Sequence, residues 1–149
     1  MLTAERTSLW RSQYRLLLDG TPVTTWDSSF WASGGSFTLD GRCFEVRSNV
    51  WGTRFRMTDE HGDVVAQADQ VGSKHWSVTA GSATYEFERP SIWSSDQILT
   101  VAGAPAGSIR RTGFWRGDMA ADLPEVPLPV QIFLVGVLIA VWEAQNSSG

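Results

Sequence analysis

The chain has 149 residues, 42% of them hydrophobic and 19% charged, which places it in the size range of one globular domain and outside the composition of disordered chains. Its formal net charge of -4 excludes a general nucleic-acid binder, which needs a basic field to meet phosphate. A single cysteine, Cys43, excludes a disulfide framework or a multi-cysteine zinc site within one chain.

Residues 1–6 set an acid beside a base and lead into no apolar segment, so they do not read as a secretory signal and predict a cytoplasmic chain. From Tyr14 to Met119, short runs of strand formers alternate with turn residues at spacings of about 8–12, the pattern of an all-β sandwich or barrel. Strands are predicted at 14–19 and 23–26, then at 36–39 and 42–46, where Asp40-Gly41 supplies the turn of a tight hairpin. Cys43 lies in the second of these and is expected to be a buried, inert thiol. Further strands follow at 53–58 and 64–68, separated by the acidic turn 59–63. The runs 74–79 and 83–88 form a hairpin with Trp76, Val78, Tyr85 and Phe87 on one side and Glu86 and Glu88 on the other. The runs 97–101 and 108–111 flank a turn at 103–107, and a Phe114-Trp115 strand comes last. About ten or eleven strands result, with no internal repeat, in a single domain spanning 1–149.

Residues 130–142 are the one long apolar run, and a helix is predicted over about 129–143, with a short polar tail at 144–149. Pro127 and Pro129 suit its entry. A run of about 13 residues reaches only about 20 Å as a helix, short of the roughly 20 residues that a bilayer needs, so no transmembrane span is expected and a short tail anchor is the alternative. Ile132, Phe133, Leu134, Val135, Val137, Leu138, Ile139, Val141 and Trp142 cover every side of that helix, which must then be buried on every side. A can of about eleven strands has room for such a helix. The expected fold is mainly β, a closed antiparallel barrel of about 11–12 strands around a central hydrophobic C-terminal helix. Gly136 and Ala140 share one face, where the wall can approach closely, and any pocket must lie at a rim or outside.

The short antiparallel strands, the segment Ala-Gly-Ser-Ile-Arg-Arg at 106–111, Phe114-Trp115, Asp122-Leu123-Pro124 and the apolar helix, in that order, resemble the tubby C-terminal-like superfamily, which includes LURP-one-related proteins and phospholipid scramblases. The resemblance covers roughly residues 14–142. It implies a twelve-stranded barrel around a hydrophobic helix and, in its tubby branch, binding of phosphoinositide headgroups by basic side chains. The chain departs from the scramblase pattern: it has no cysteine-rich segment, and the turn 59–63 lacks the spacing and terminal Glu of a calcium loop.

Of eleven arginines and one lysine, Arg54 and Arg56 alternate with Phe55 and Met57 and so face outward together, while Arg110, Arg111 and Arg116 cluster near the last strands. These five are the candidate anionic-ligand site, because the guanidinium fork matches phosphate oxygens. Against it stands a solvated face whose arginines pair with nearby carboxylates. Eight tryptophans are an unusual load; most are expected in the core, and Trp31 and Trp93, beside serine-rich stretches, are the alternative stacking platform for a sugar. His61 and His75 stand in no nucleophile motif, and a hydrolase using Glu86 or His75 is a further alternative. No catalytic residue, cofactor or metal site is assigned. The expected function is a non-enzymatic binding or scaffold module, a monomer in the cytoplasm or peripheral at the inner membrane surface, whose partner is an anionic phospholipid headgroup or a protein.

Overall fold

The structure, a computed structural model, describes residues 1–7, 13–28, 34–91, 95–112 and 118–147. It contains β1 (Leu2–Arg6), β2 (Gln13–Leu18), β3 (Thr21–Asp27), β4 (Gly34–Leu39), β5 (Arg42–Ser48), β6 (Phe55–Thr58), β7 (Val64–Asp69), β8 (His75–Ala80), β9 (Ala83–Glu88), β10 (Gln97–Val101), β11 (Ala104–Arg111), β12 (Met119–Asp122) and α1 (Leu128–Ser147). All strands pair antiparallel with their chain neighbours, and β1 pairs with β12 to close the barrel, Leu2 opposite Ala121 and Ala4 opposite Met119. The barrel of about 11–12 strands expected from the sequence is therefore a closed one of twelve.

Three boundaries differ from the sequence reading. Strands begin at Leu2 and not at residue 14: Leu2 and Ala4 point inward and are buried, and the hairpin with β2 sets Leu2 opposite Leu18. The helix runs to Ser147 instead of ending near residue 143, because no Gly or Pro interrupts Glu143-Ala144-Gln145-Asn146. The Phe114-Trp115 strand lies outside the described residues. The turn placed at 103–107 is shorter: Ala102 and Gly103, both at positive φ, make it alone, and β11 starts at Ala104. The Asp40-Gly41 turn has the positive φ at both residues that its sequence implies.

Inward positions follow the two-residue period. Phe37 and Leu39, Phe44 and Val46, Phe55 and Met57, Ala66 and Ala68, and Trp76 and Val78 are all buried. The same phase corrects the expectation for Cys43: with Phe44 and Val46 inward, the thiol lies on the outer face and is exposed.

The helix starts where the Pro127 carbonyl accepts from Val130 and Gln131 N–H, and Pro129 is tolerated in a first turn whose N–H groups have no helical acceptor. By length and composition it could cross a membrane, but Ile132, Phe133, Leu134, Val135, Val137 and Ile139 are at most 1% exposed. The barrel encloses it. The Trp26 indole from β3 is wedged between two glycines: a Cβ on Gly35 of β4 would lie 2.5 Å from its Cε2, and a Cβ on Gly136 of the helix would run into its outer edge.

Replacing Gly136 by Ala should improve helix propensity by about 1 kcal/mol, yet the clash with a close-packed indole costs about 1–3 kcal/mol. We expect Gly136→Ala to be destabilised in urea unfolding, and Trp26→Phe/Gly136→Ala to be more stable than the two single effects added together. Strict additivity would show that the indole does not fill this space.

Candidate functional site

The strands run alternately, so β1, β3, β5, β7, β9 and β11 end where the helix leaves the barrel. There a cavity of about 330 Å³ opens between the last turns of α1 and the wall from β8 to β12, within the range of small-ligand sites. On the helix side it is lined by Leu138, Val141, Trp142 and Gln145, which at i, i+3, i+4 and i+7 form one stripe. That stripe lies opposite the edge of the helix carrying Gly136.

On the wall side the polar groups are Arg89, Gln97, Arg110 and Arg111, with Trp76, Ile109 and Met119 between them. Strand phase explains three of the four, whereas Arg110, next to the inward Ile109, is exposed on the outer face. Arg89 continues the inward row of Phe87, Arg111 that of Ile109, and Gln97 that of Leu99. The buried Gln97 accepts a hydrogen bond from Trp76 Nε1 at 2.7 Å through Oε1, and since indole only donates, this fixes the amide with Nε2 as its remaining donor. Trp76 in turn stacks on Phe87 at 4.7 Å. Arg89 donates through Nη2 to the Gly72 carbonyl at 3.2 Å, while its Nε is buried with no hydrogen-bond partner. Among the described residues no carboxylate lines the cavity, and none pairs with Arg89, Arg110 or Arg111.

The candidate arginines do not form one patch. Arg54 and Arg56 lie on the outside of the barrel near β6, as their alternation with Phe55 and Met57 implies. Counted around the barrel, β6 is nearly opposite β11, which carries Arg110 and Arg111. Arg54 is held by Asp69 at 2.8 Å and Arg56 donates to Gln67 Oε1 at 2.7 Å. Arg116, Trp31 and Trp93 lie outside the described residues. His75 sits on the outer face 3.5 Å from Glu88, and Glu86 is exposed on the same wall. His61 is exposed in the turn 59–63 at the far end, where Asp59 accepts from the His61 and Asp63 N–H groups. Although desolvation opposes it, those backbone donors hold the Asp59 carboxyl below its usual range. Arg42 flanks both Asp59 and Glu60. Among the described residues no three His, Cys, Asp or Glu side chains gather as a metal site.

Next to the helix exit, Glu143 accepts from Ser28 Oγ at 3.1 Å. Burial, and after it the Glu143 charge, push the Tyr14 phenol well above its usual range.

Compared with models of known families, curated proteins and solved structures, the chain matches none.

Arg54 has a structural partner whose titration can be read. Partial burial disfavours the Asp69 anion, but hydrogen bonds from Gln67 and Arg54 and the charges of Arg54 and Arg56 outweigh this and lower its pKa. A carboxyl with a lowered folded-state value stabilises the fold above its unfolded value, near pH 4. That contribution is lost as pH falls through the lower folded value. Asp69→Asn should therefore lose stability at neutral pH relative to the wild type and converge with it below about pH 4. Equal urea midpoints at neutral pH would remove the pair from the account of stability.

Proposed function

We propose that this chain is a non-enzymatic binding module that takes an anionic, phosphate-bearing lipid headgroup into the cavity beside the helix exit. The observation that carries this reading is the orphaned, buried Arg89 Nε in a cavity that Arg111 also lines and that no carboxylate among the described residues shares. A buried donor without an acceptor costs about 1–3 kcal/mol, and a half-buried cation without a counter-charge adds to that cost. A bound anion removes both. The wall formed by Trp76, Leu138, Val141 and Trp142 suits the apolar part of an amphiphile better than a free inorganic ion.

The closed barrel with an apolar helix inside agrees with the architecture that the tubby-like resemblance implies, and a headgroup ligand agrees with the chemistry of that resemblance. The place differs from the site first expected: Arg54 and Arg56 are engaged on the outer wall, whereas Arg89 and Gln97 join Arg110 and Arg111 at the rim. In this reading the protein works peripherally at the cytoplasmic face of a membrane.

The test is titration calorimetry with dioctanoyl phosphatidic acid, with inorganic phosphate and octanol as separate arms. Each charged hydrogen bond is worth about 1.5–3 kcal/mol, so Arg89→Ala and Arg111→Ala should each weaken binding about tenfold or more, with Arg54→Ala/Arg56→Ala unchanged. Phosphate alone should bind weakly and octanol not measurably. Wild-type affinity in both cavity variants, or loss in the outer-wall variant instead, overturns the assignment.

A further inference from the structure

At the same end of the barrel, the connection between β5 and β6 carries two large apolar side chains into solvent: Val50 is 95% exposed and Trp51 83%. Their exposure is built in. The Asn49 carbonyl accepts from Gly52 N–H at 3.1 Å and its Oδ1 from the N–H groups of Thr53 at 2.9 Å and Arg54 at 3.1 Å, while Nδ2 donates to Thr53 Oγ1 at 3.0 Å. Gly52, with φ of +70°, completes the turn. A loop tied by one asparagine side chain in this way holds its tip outward and does not fold it back.

The tip is also tied to the cavity wall. Val71 N–H donates to the Thr53 carbonyl at 2.9 Å, and Val71, Gly72 and Ser73 form part of the cavity wall. One backbone hydrogen bond thus ties the base of the tip to a segment of the cavity wall. The outward side chains of the strands and turn beside the tip are Arg47, Arg54 and Arg56 against Glu45 and Asp69; Arg47 lies 3.6 Å from Glu45 and Arg54 2.8 Å from Asp69, which leaves Arg56 as a local excess of positive charge on a chain whose net charge is -4.

We infer that Val50 and Trp51 are an insertion tip that seats the helix-exit end of the barrel on an anionic lipid bilayer. Tryptophan prefers the headgroup level, where its ring is half dehydrated and its N–H stays hydrogen-bonded. The local excess of positive charge beside it meets the negative surface. A convex knob of two residues is too small for a stable protein interface, which needs roughly 800 Å² from each partner, but a bilayer yields to it. The inference rests on the lipid reading above, and adds that the protein reaches its ligand in the membrane and not as a free monomer. The knob and the cavity are separable by mutation.

Flotation with vesicles of phosphatidylcholine and phosphatidylserine, the latter an anionic lipid of the cytoplasmic leaflet, tests it. Wild type should float, and Val50→Ser/Trp51→Ala should partition about tenfold more weakly, the order expected for withdrawing large apolar side chains from the interface. Trp51→Phe should retain most of the binding. Vesicles with brominated acyl chains should quench part of the wild-type emission, and Trp51→Phe should lose that part. Because both tip residues are exposed, thermal unfolding of the variants should match wild type. Unchanged flotation of Val50→Ser/Trp51→Ala overturns the tip while leaving the cavity reading intact if dioctanoyl phosphatidic acid still binds. Failure of wild type to float also overturns it, and a Trp51-dependent rise in molar mass in solution in that case assigns the tip to a protein contact.

Discussion

The contact between the Trp26 indole and Gly136 decides where the helix lies inside the barrel, and the remaining features of the helix-exit end follow from it. A helix that is apolar on every side gains by burial on every side, so nothing in its own composition selects one wall over another. The glycine makes that selection. It removes the side chain at one point, the indole from β3 enters, and Gly35 of β4 removes the obstacle behind the ring. Phe37 stacks on Trp26 and Phe44 on Phe37, at 6.2 and 4.9 Å, so the aromatic row on the β3 to β5 side is continuous. The helix is drawn to that side, and its opposite stripe, Leu138, Val141, Trp142 and Gln145, faces the cavity.

That placement also explains why charged side chains are found at inward positions on the β9 and β11 side. Deep in the barrel an arginine in the phase of Phe87 or Ile109 would meet the helix and lose its hydration at a cost of several kcal/mol. At the last position before the rim, with the helix leaning away, the same phase gives a side chain access to water. Arg89 and Arg111 stand at that position. Both line one cavity that no carboxylate among the described residues shares, and the proposed anion site rests on that local excess of positive charge in a chain of net negative charge.

Much of this is legible in the sequence, and the illegible part has a physical pattern. The hairpins, the inward rows and the enclosed helix all depend on local periodicity, which is present in Phe55-Arg56-Met57 or in the all-round apolar run of α1. Closure by β1 depends on pairing Leu2 with Ala121, far apart in the chain, and a five-residue strand of mixed polarity carries no local sign of it. The five arginines look like one cluster because sequence neighbours suggest spatial ones, but β6 and β11 lie nearly across the barrel from each other. A usable signal was present for the cavity: a polar or charged residue in the inward phase at a strand end. Gln97 before Leu99, Arg89 after Phe87 and Arg111 after Ile109 all have it. Cys43 shows the converse, a residue whose type suggests burial but whose phase points outward.

The two ends of the barrel are built for different work. At the end where the helix enters, Asp19-Gly20, Asp40-Gly41 and Ala102-Gly103 make turns of two residues with positive φ throughout. Such turns match the twist of paired strands and pin their register. They leave little surface for a ligand. At the exit end the described connections are longer, residues 49–54 between β5 and β6 and 70–74 between β7 and β8. Longer connections carry less ladder hydrogen bonding and more freedom to place side chains, which is why binding groups concentrate in them. In this protein that freedom is constrained where it counts. Asn49 locks the connection that carries Val50 and Trp51, and the Val71 bond to Thr53 ties that connection to the cavity wall. Under the proposed function, a site at a strand end, held by ladder pairing on one side and tied to an asparagine-braced loop on the other, would carry a small ordering cost on binding.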